Sequence, residues 1–344
     1  MQITQFDSYL DANGPVALVI RETLIPVAGK DSPVFPPTFA PEEGSDKKPD
    51  YVINNTGLGE GKNVALIDSV GSQANRLEPI FKRPPFDALV PQVQIKIGDR
   101  VVNLLDAGHR SADAIVRYSG AAAKVQAAFS EYEKTRKTEA LAKLNPTALV
   151  FGVWDSRGTQ SKFPRLVSSV IRATDVARLE RSAQYISMIE KEEAQAIDSD
   201  QKYLSKEGLS DAPAGRGPGG VIVGGSIIRE AVLNLIPLRS LSGGDAEGTL
   251  RLQRYILGLA LVAFTAPAEY FLRQGCLLTA DPESPAGIDS VSRNGSRKPV
   301  EFEDSEVLAY AQLAAAEFGV GESFSVDFLP EQAKAAKASK KPKG

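Results

Sequence analysis

Apolar and polar positions change period several times along the chain, and the elements they predict are mixed. Residues 16–20 and 63–68 (NVALID) read as short strands. Residues 69–81 follow as a helix whose first turn holds serines and a glycine but no acid, leaving backbone N–H groups for an anion. Residues 94–97 and 100–103 flank Gly98-Asp99 and predict a hairpin with a glycine-first turn. In residues 106–117, Asp106 with Arg110 and Asp113 with Arg117 are acid-then-base pairs four apart, which predicts a helix. Residues 147–154 are an apolar, β-branched run and read as a strand. It ends in the loop 155–158, and Pro164 then opens a helix through Arg172.

The glycine-rich stretch 211–225 predicts a mobile loop interrupted by a strand at 221–223, and 247–274 a long helix bent or broken near Pro267. A last helix is expected over 304–318. Residues 26–49 are proline-rich and extended. Their apolar residues Val34, Phe35 and Phe39 call for a surface to pack on, either a neighbouring subunit or a base of RNA. The fold class is α+β.

Composition narrows the chemistry. The 344 residues are 42% hydrophobic and 24% charged, as in an ordinary globular protein. Cys276 and His109 are the only residues of their kinds, which removes disulfides, zinc fingers and two-histidine metal motifs; no metal or cofactor is expected. The opening MQITQFDSYLD lacks the basic start and apolar core of a secretion signal, and the apolar run 255–268 is too short for a bilayer. A cytoplasmic location with no membrane role follows as the expectation.

Net charge is −3, but its distribution matters more than its sum. Arg157, Lys162, Arg165, Arg172, Arg178 and Arg181 face only Asp175 and Glu180 in their segment, while 189–211 holds seven acids against three lysines. Three segments combine small polar residues with arginine at predicted junctions: 69–76, His109-Arg110, and 157–165. Each could bind phosphates without reading base sequence. Gly29-Lys30 lacks the spacing of a P-loop, and Gly215, Gly217 and Gly220 match G-x-G-x-x-G without the preceding strand.

At these same segments the chain resembles the backbone RAMP subunit of the type I-U (I-G) CRISPR Cascade. The resemblance rests on Ser69-Val-Gly-Ser-Gln-Ala-Asn-Arg-Leu-Glu78, Asp106-Ala-Gly-His-Arg-Ser-Ala-Asp113, Leu149-Val-Phe-Gly-Val-Trp-Asp-Ser-Arg-Gly158 with Lys162-Phe-Pro-Arg-Leu166, and Tyr270-Phe-Leu-Arg-Gln-Gly-Cys276. It implies a right-hand shape: a ferredoxin-like, RRM-related palm with inserted fingers and a thumb loop that touches the next copy. One elaborated domain over 1–332 is expected, with 24–50 as thumb, 182–226 as an insertion and 333–344 as a disordered lysine-rich tail.

The resemblance implies a non-catalytic protein that binds CRISPR RNA and polymerises along it as a helical homo-oligomer beside other Cascade subunits. It would present the guide for pairing with target DNA. Ser69, Ser72, Gln73, Asn75, Arg76, Arg110, Arg157, Lys162, Arg165 and Arg172 would approach the guide. Lys30, Phe35, Pro37, Thr38 and Phe39 would form the thumb. The competing class is a RAMP-type ribonuclease using His109 or Asp31. A monomeric single-strand binder would want aromatics on a basic sheet, but aromatics are 7% and do not interleave with the basic stripe.

Overall fold

The computed structural model describes residues 2–46, 48–59 and 61–339. Its centre is a curled antiparallel sheet, a half-barrel, within a mixed α+β fold. Across the sheet run Phe271–Arg273, Cys276–Ala280, Ala17–Pro26, Ile227–Asn234, Val167–Thr174, Asn63–Asp68 and Ile53–Asn55. Ile288–Val291 also pairs with the start of Ala17–Pro26 and carries Arg297–Val300 on its other side.

Strand alternation fixes which face is covered. Leu18, Ile20 and Leu24 are buried on one face, while Ala17, Val19, Arg21 and Thr23 point to a half-open one. Onto the covered face packs the helix Ala246–Thr265, buried all round from Leu252 to Phe264. It lies against Asp304–Phe318, and the two backbones come so close that a Cβ on Gly258 would stand 2.9 Å from the Ala311 Cα. Burial of each Leu or Ile along this seam is worth about 1.5–3 kcal/mol. Between Asn63–Asp68 and Val167–Thr174 in sequence lies a second lobe. It includes the helix Ala122–Thr135 and the strand Val93–Ile97, which Phe324–Asp327 from the C-terminal part of the chain joins in parallel.

Several sequence expectations hold: the strand at 63–68, the helix at 304–318, and the hairpin, in which Gly98 takes φ 58°. Others are overturned. Thr147–Phe151 is a helical turn, not a strand. Pro146 is pre-set at its start with φ −61°, and every residue of the turn is buried, so no hydrophobic period marks it. The helix expected from Pro164 to Arg172 is instead the strand Val167–Thr174, bonded on both sides.

Residues 106–117 form three short turns, because their charges find tertiary partners rather than each other. Asp106 takes Lys82, Arg110 takes Glu78 and Arg117 takes Asp155. Of the two alternatives for the long helix, the break holds: it ends at Thr265, just before Pro267. The glycine-rich stretch is no loop: Ala212–Val223 is a strand paired with Val176–Tyr185 in a ribbon whose far end carries the helices Lys191–Ile197 and Gln201–Lys206. Residues 330–339 are helical, and residues 340–344 of the expected lysine-rich tail lie outside the described residues. Among the described residues no helix is long and apolar enough to cross a membrane.

Candidate nucleic-acid interface

Asn63–Asp68 runs straight into the helix Val70–Leu77, and Asp68 at the junction is fully buried. Its carboxylate accepts hydrogen bonds from Ser72 Oγ (2.9 Å), Gln73 Nε2 (2.7 Å), Arg76 Nε (3.3 Å) and Arg273 NH2 (2.8 Å). Gln73 Oε1 in turn accepts from Ser169 Oγ at 2.8 Å. Arg76 also donates to the carbonyls of Phe271 and Leu272, and Arg273 to that of Phe35. One buried anion therefore ties the helix, the central strand, the 271–280 hairpin and the proline-rich loop together.

The arrangement corrects the simplest sequence reading of the helix. Ser72 and Gln73 are spent on Asp68, and the Ser69 side chain accepts from the Ser72 N–H as an N-cap. Two guanidiniums against one carboxylate leave the hub with an excess positive charge. Arg76 is partly exposed and lines an open groove of about 410 Å³ with Asn75, Arg83 and Phe271. Cys276, below the hub, is buried and its thiol is pushed up by that burial.

Arg110 lies against Glu78, the residue that closes this helix. Its Nε stands 2.8 Å from Glu78 Oε2, and both side chains are buried. Its NH1 donates to Gly152 O at 3.2 Å, while NH2 has no partner. Burial pushes the Glu78 carboxyl up to about 7 against the opposing pull of Arg110. Arg165 is held below the ordinary arginine range by burial and by the charge of Arg110. Its aliphatic stem covers Gly152, where an added Cβ would meet Arg165 Cγ at 2.9 Å. Exposed Arg165, unpaired by Glu78 and repelled by Arg110, favours an anion from outside.

Beyond Gly152, Val153–Trp154 pairs with Lys162–Phe163, placing Trp154 opposite Lys162. Val153 and Phe163 point inward, whereas Trp154 is 55% exposed with Lys162 Nζ 5.6 Å from its ring centroid. The intervening turn folds around buried Asp155, which accepts from the Thr159 N–H (2.7 Å) and from Arg117 (3.3 Å). Arg157 is exposed on that turn.

The three segments singled out by sequence thus adjoin one another: Asn75 of the helix reaches toward Gly108, Arg110 binds Glu78, and Arg165 sits beside Arg110. Arg172 does not join them. By register it points to the other face of the sheet, where it shares Glu230 with Arg21. His109 is exposed beside the helix, its backbone N–H bonded to Asp113.

The proline-rich loop packs on its own chain. Val34 bridges Val221 and is buried, and Phe35 lies against Gly275 and beneath Arg181. Lys30 pairs with Asp281 at 3.2 Å and with Glu283, next to Asp31. Pro37 follows, and Thr38–Phe39 pairs with Asp50–Tyr51, leaving Phe39 exposed.

Asp68, Arg273 and Trp154 were missed by sequence reasoning. An acid immediately before a Ser-x-x-Ser-Gln helix start was the available signal for the first. The chain's single tryptophan before an Asp-Ser-Arg-Gly turn was the signal for the third. Among the described residues no group of three or more His, Cys, Asp or Glu is placed to hold a metal ion.

No curated protein matches the chain. Residues 18–178, which hold Asp68, the helix after it, Arg110, Trp154 and Arg165, match the model of the family described as CRISPR-associated protein GSU0053. The stretch, just under half of the chain, is thus similar to a CRISPR-associated protein family, which supports a part for this protein in CRISPR defence.

Proposed function

We propose that the protein is a non-catalytic subunit that binds CRISPR RNA, polymerises along it as the backbone of a type I-U (I-G) Cascade effector, and presents it for pairing with target DNA. The observation that carries this reading is the convergence of the accessible cations Arg76, Arg165 and Lys162 on adjoining elements, Arg76 held by buried Asp68 and Lys162 set against the Trp154 ring, with buried Arg110 adding positive charge beneath them. Such an array binds phosphates and leaves base edges free, as a guide of arbitrary sequence requires.

A ferredoxin-like palm is supported by the strand order Cys276–Ala280, Ala17–Pro26, Ile227–Asn234, Val167–Thr174, with helical segments following the first and third of these strands in sequence. The ribbon of Val176–Tyr185 and Ala212–Val223 is inserted between two adjacent strands of that order. Its outer part is exposed, and its end is acidic and bears exposed Tyr185, Ile186 and Met188. We assign the role of the thumb to this ribbon, with the 24–50 loop as a buttress at its base through Val34.

Co-expression with a CRISPR array and partner subunits, followed by size-exclusion chromatography at 260 and 280 nm, tests the proposal. A large particle with protected RNA of defined length, weakened by Arg165→Ala, is the expected result. A nucleic-acid-free monomer would refute it, as would RNA cleavage that disappears in His109→Ala.

A further inference from the structure

Trp154 is the chain's single tryptophan, and it stands half-exposed among cations. The strand pair explains why: the pleat sends Val153 and Phe163 into the core and turns Trp154 and Lys162 outward together. The platform is stiff. Asp155, directly after Trp154, is buried and holds the turn through Thr159 N–H and Oγ1, while Arg117 clamps it from the neighbouring helical turn. The ring is thus a broad, preorganised apolar surface left in water, with Lys162 Nζ 5.6 Å from its centroid, exposed Arg157 three residues on in the same turn, and exposed Arg165 packed over Gly152, two residues before it.

An apolar protein partner would gain little from that ring of charge. A polyanion with planar apolar groups matches it: phosphates for the cations and a base for the indole. We infer that Trp154 is a stacking platform for an unpaired nucleobase of a single strand whose flanking phosphates lie on Lys162, Arg157 and Arg165. The inference rests on the RNA-binding reading above and adds a base-contacting residue to it.

Because the protein has one tryptophan, its indole emission reports this site alone. Titrate the full-length protein with a labelled oligouridylate and with the same backbone carrying abasic positions. Anisotropy of the label follows binding, and indole emission follows stacking. The expected result is quenching by the oligouridylate and none by the abasic strand, which binds more weakly. Trp154→Phe should keep most of the affinity and Trp154→Ala lose about 5- to 150-fold.

Oligouridylate binding with unchanged emission and an unaffected Trp154→Ala would overturn the stacking site while leaving the RNA-binding function standing. An absence of binding would overturn both. Emission that follows protein concentration without RNA would assign the ring to a contact between copies and overturn the inference.

Discussion

Removing the Asp68 carboxylate should destabilise the protein more than any other single change at this interface. The side chain is fully buried and accepts four hydrogen bonds, two of them from arginines that are only partly exposed. Taking one partner from a buried ion pair costs about 3–5 kcal/mol. Water reaches Arg76 and Arg273, which are 35% and 24% exposed, so the lower end applies to the ionic part. The buried Gln73 amide loses its acceptor as well, adding about 1 kcal/mol. Asp68→Ala should therefore cost about 4 kcal/mol.

A chain of 344 residues unfolds with an entropy near 0.7 kcal/mol per kelvin, so the melting temperature should fall by about 6 °C. Asp68→Asn keeps the shape and one acceptor but turns an N–H₂ toward donors, and about half the loss is expected. Thermal unfolding followed by far-ultraviolet circular dichroism measures both. A melting temperature for Asp68→Ala within a degree of the parent would show that the hub does not hold these elements together, and the argument for Arg76 as a positioned cation would fail with it.

The Glu78 carboxyl keeps its proton to about pH 7 in the folded protein and to about 4.5 when unfolded. The folded state therefore binds more protons between these values, and stability should fall as pH rises through that window, by up to about 3 kcal/mol. Urea midpoints from pH 5 to about 8 should show this slope, and Glu78→Gln should flatten it. Gly258→Val would drive a branched side chain into the Ala311 backbone, and calorimetry should record a loss of at least about 1–3 kcal/mol. Arg172→Ala should leave RNA affinity unchanged because that side chain lies on the opposite face, whereas Arg165→Ala should weaken it and reduce the salt slope by about 0.7. Salt-dependent anisotropy titrations distinguish the two.

What the sequence determined by itself is what local forces decide. Residues 63–68, 304–318 and the Gly98-Asp99 hairpin declare themselves through alternation, helical spacing and turn chemistry, all acting within a few residues. Small polar residues beside arginine marked three phosphate-binding candidates, and the structure brings those segments side by side. Tertiary structure decided what depends on distant partners. Thr147–Phe151 is helical and Val167–Thr174 extended because burial on all sides, and pairing on both edges, override the weak preference of short apolar runs. The glycine-rich 212–223 becomes a strand because Val176–Tyr185, and Val34 at Val221, bond to it.

The same reason governs the interface. Arg273 meets Asp68 across 205 residues and Arg110 meets Glu78 across a chain reversal, so neither pairing is written in local spacing. Whether an arginine is a free cation or a structural tie depends on which buried carboxylate the fold sets beside it, since a buried charge left without its partner costs far more than the loss of an exposed pair between residues four apart.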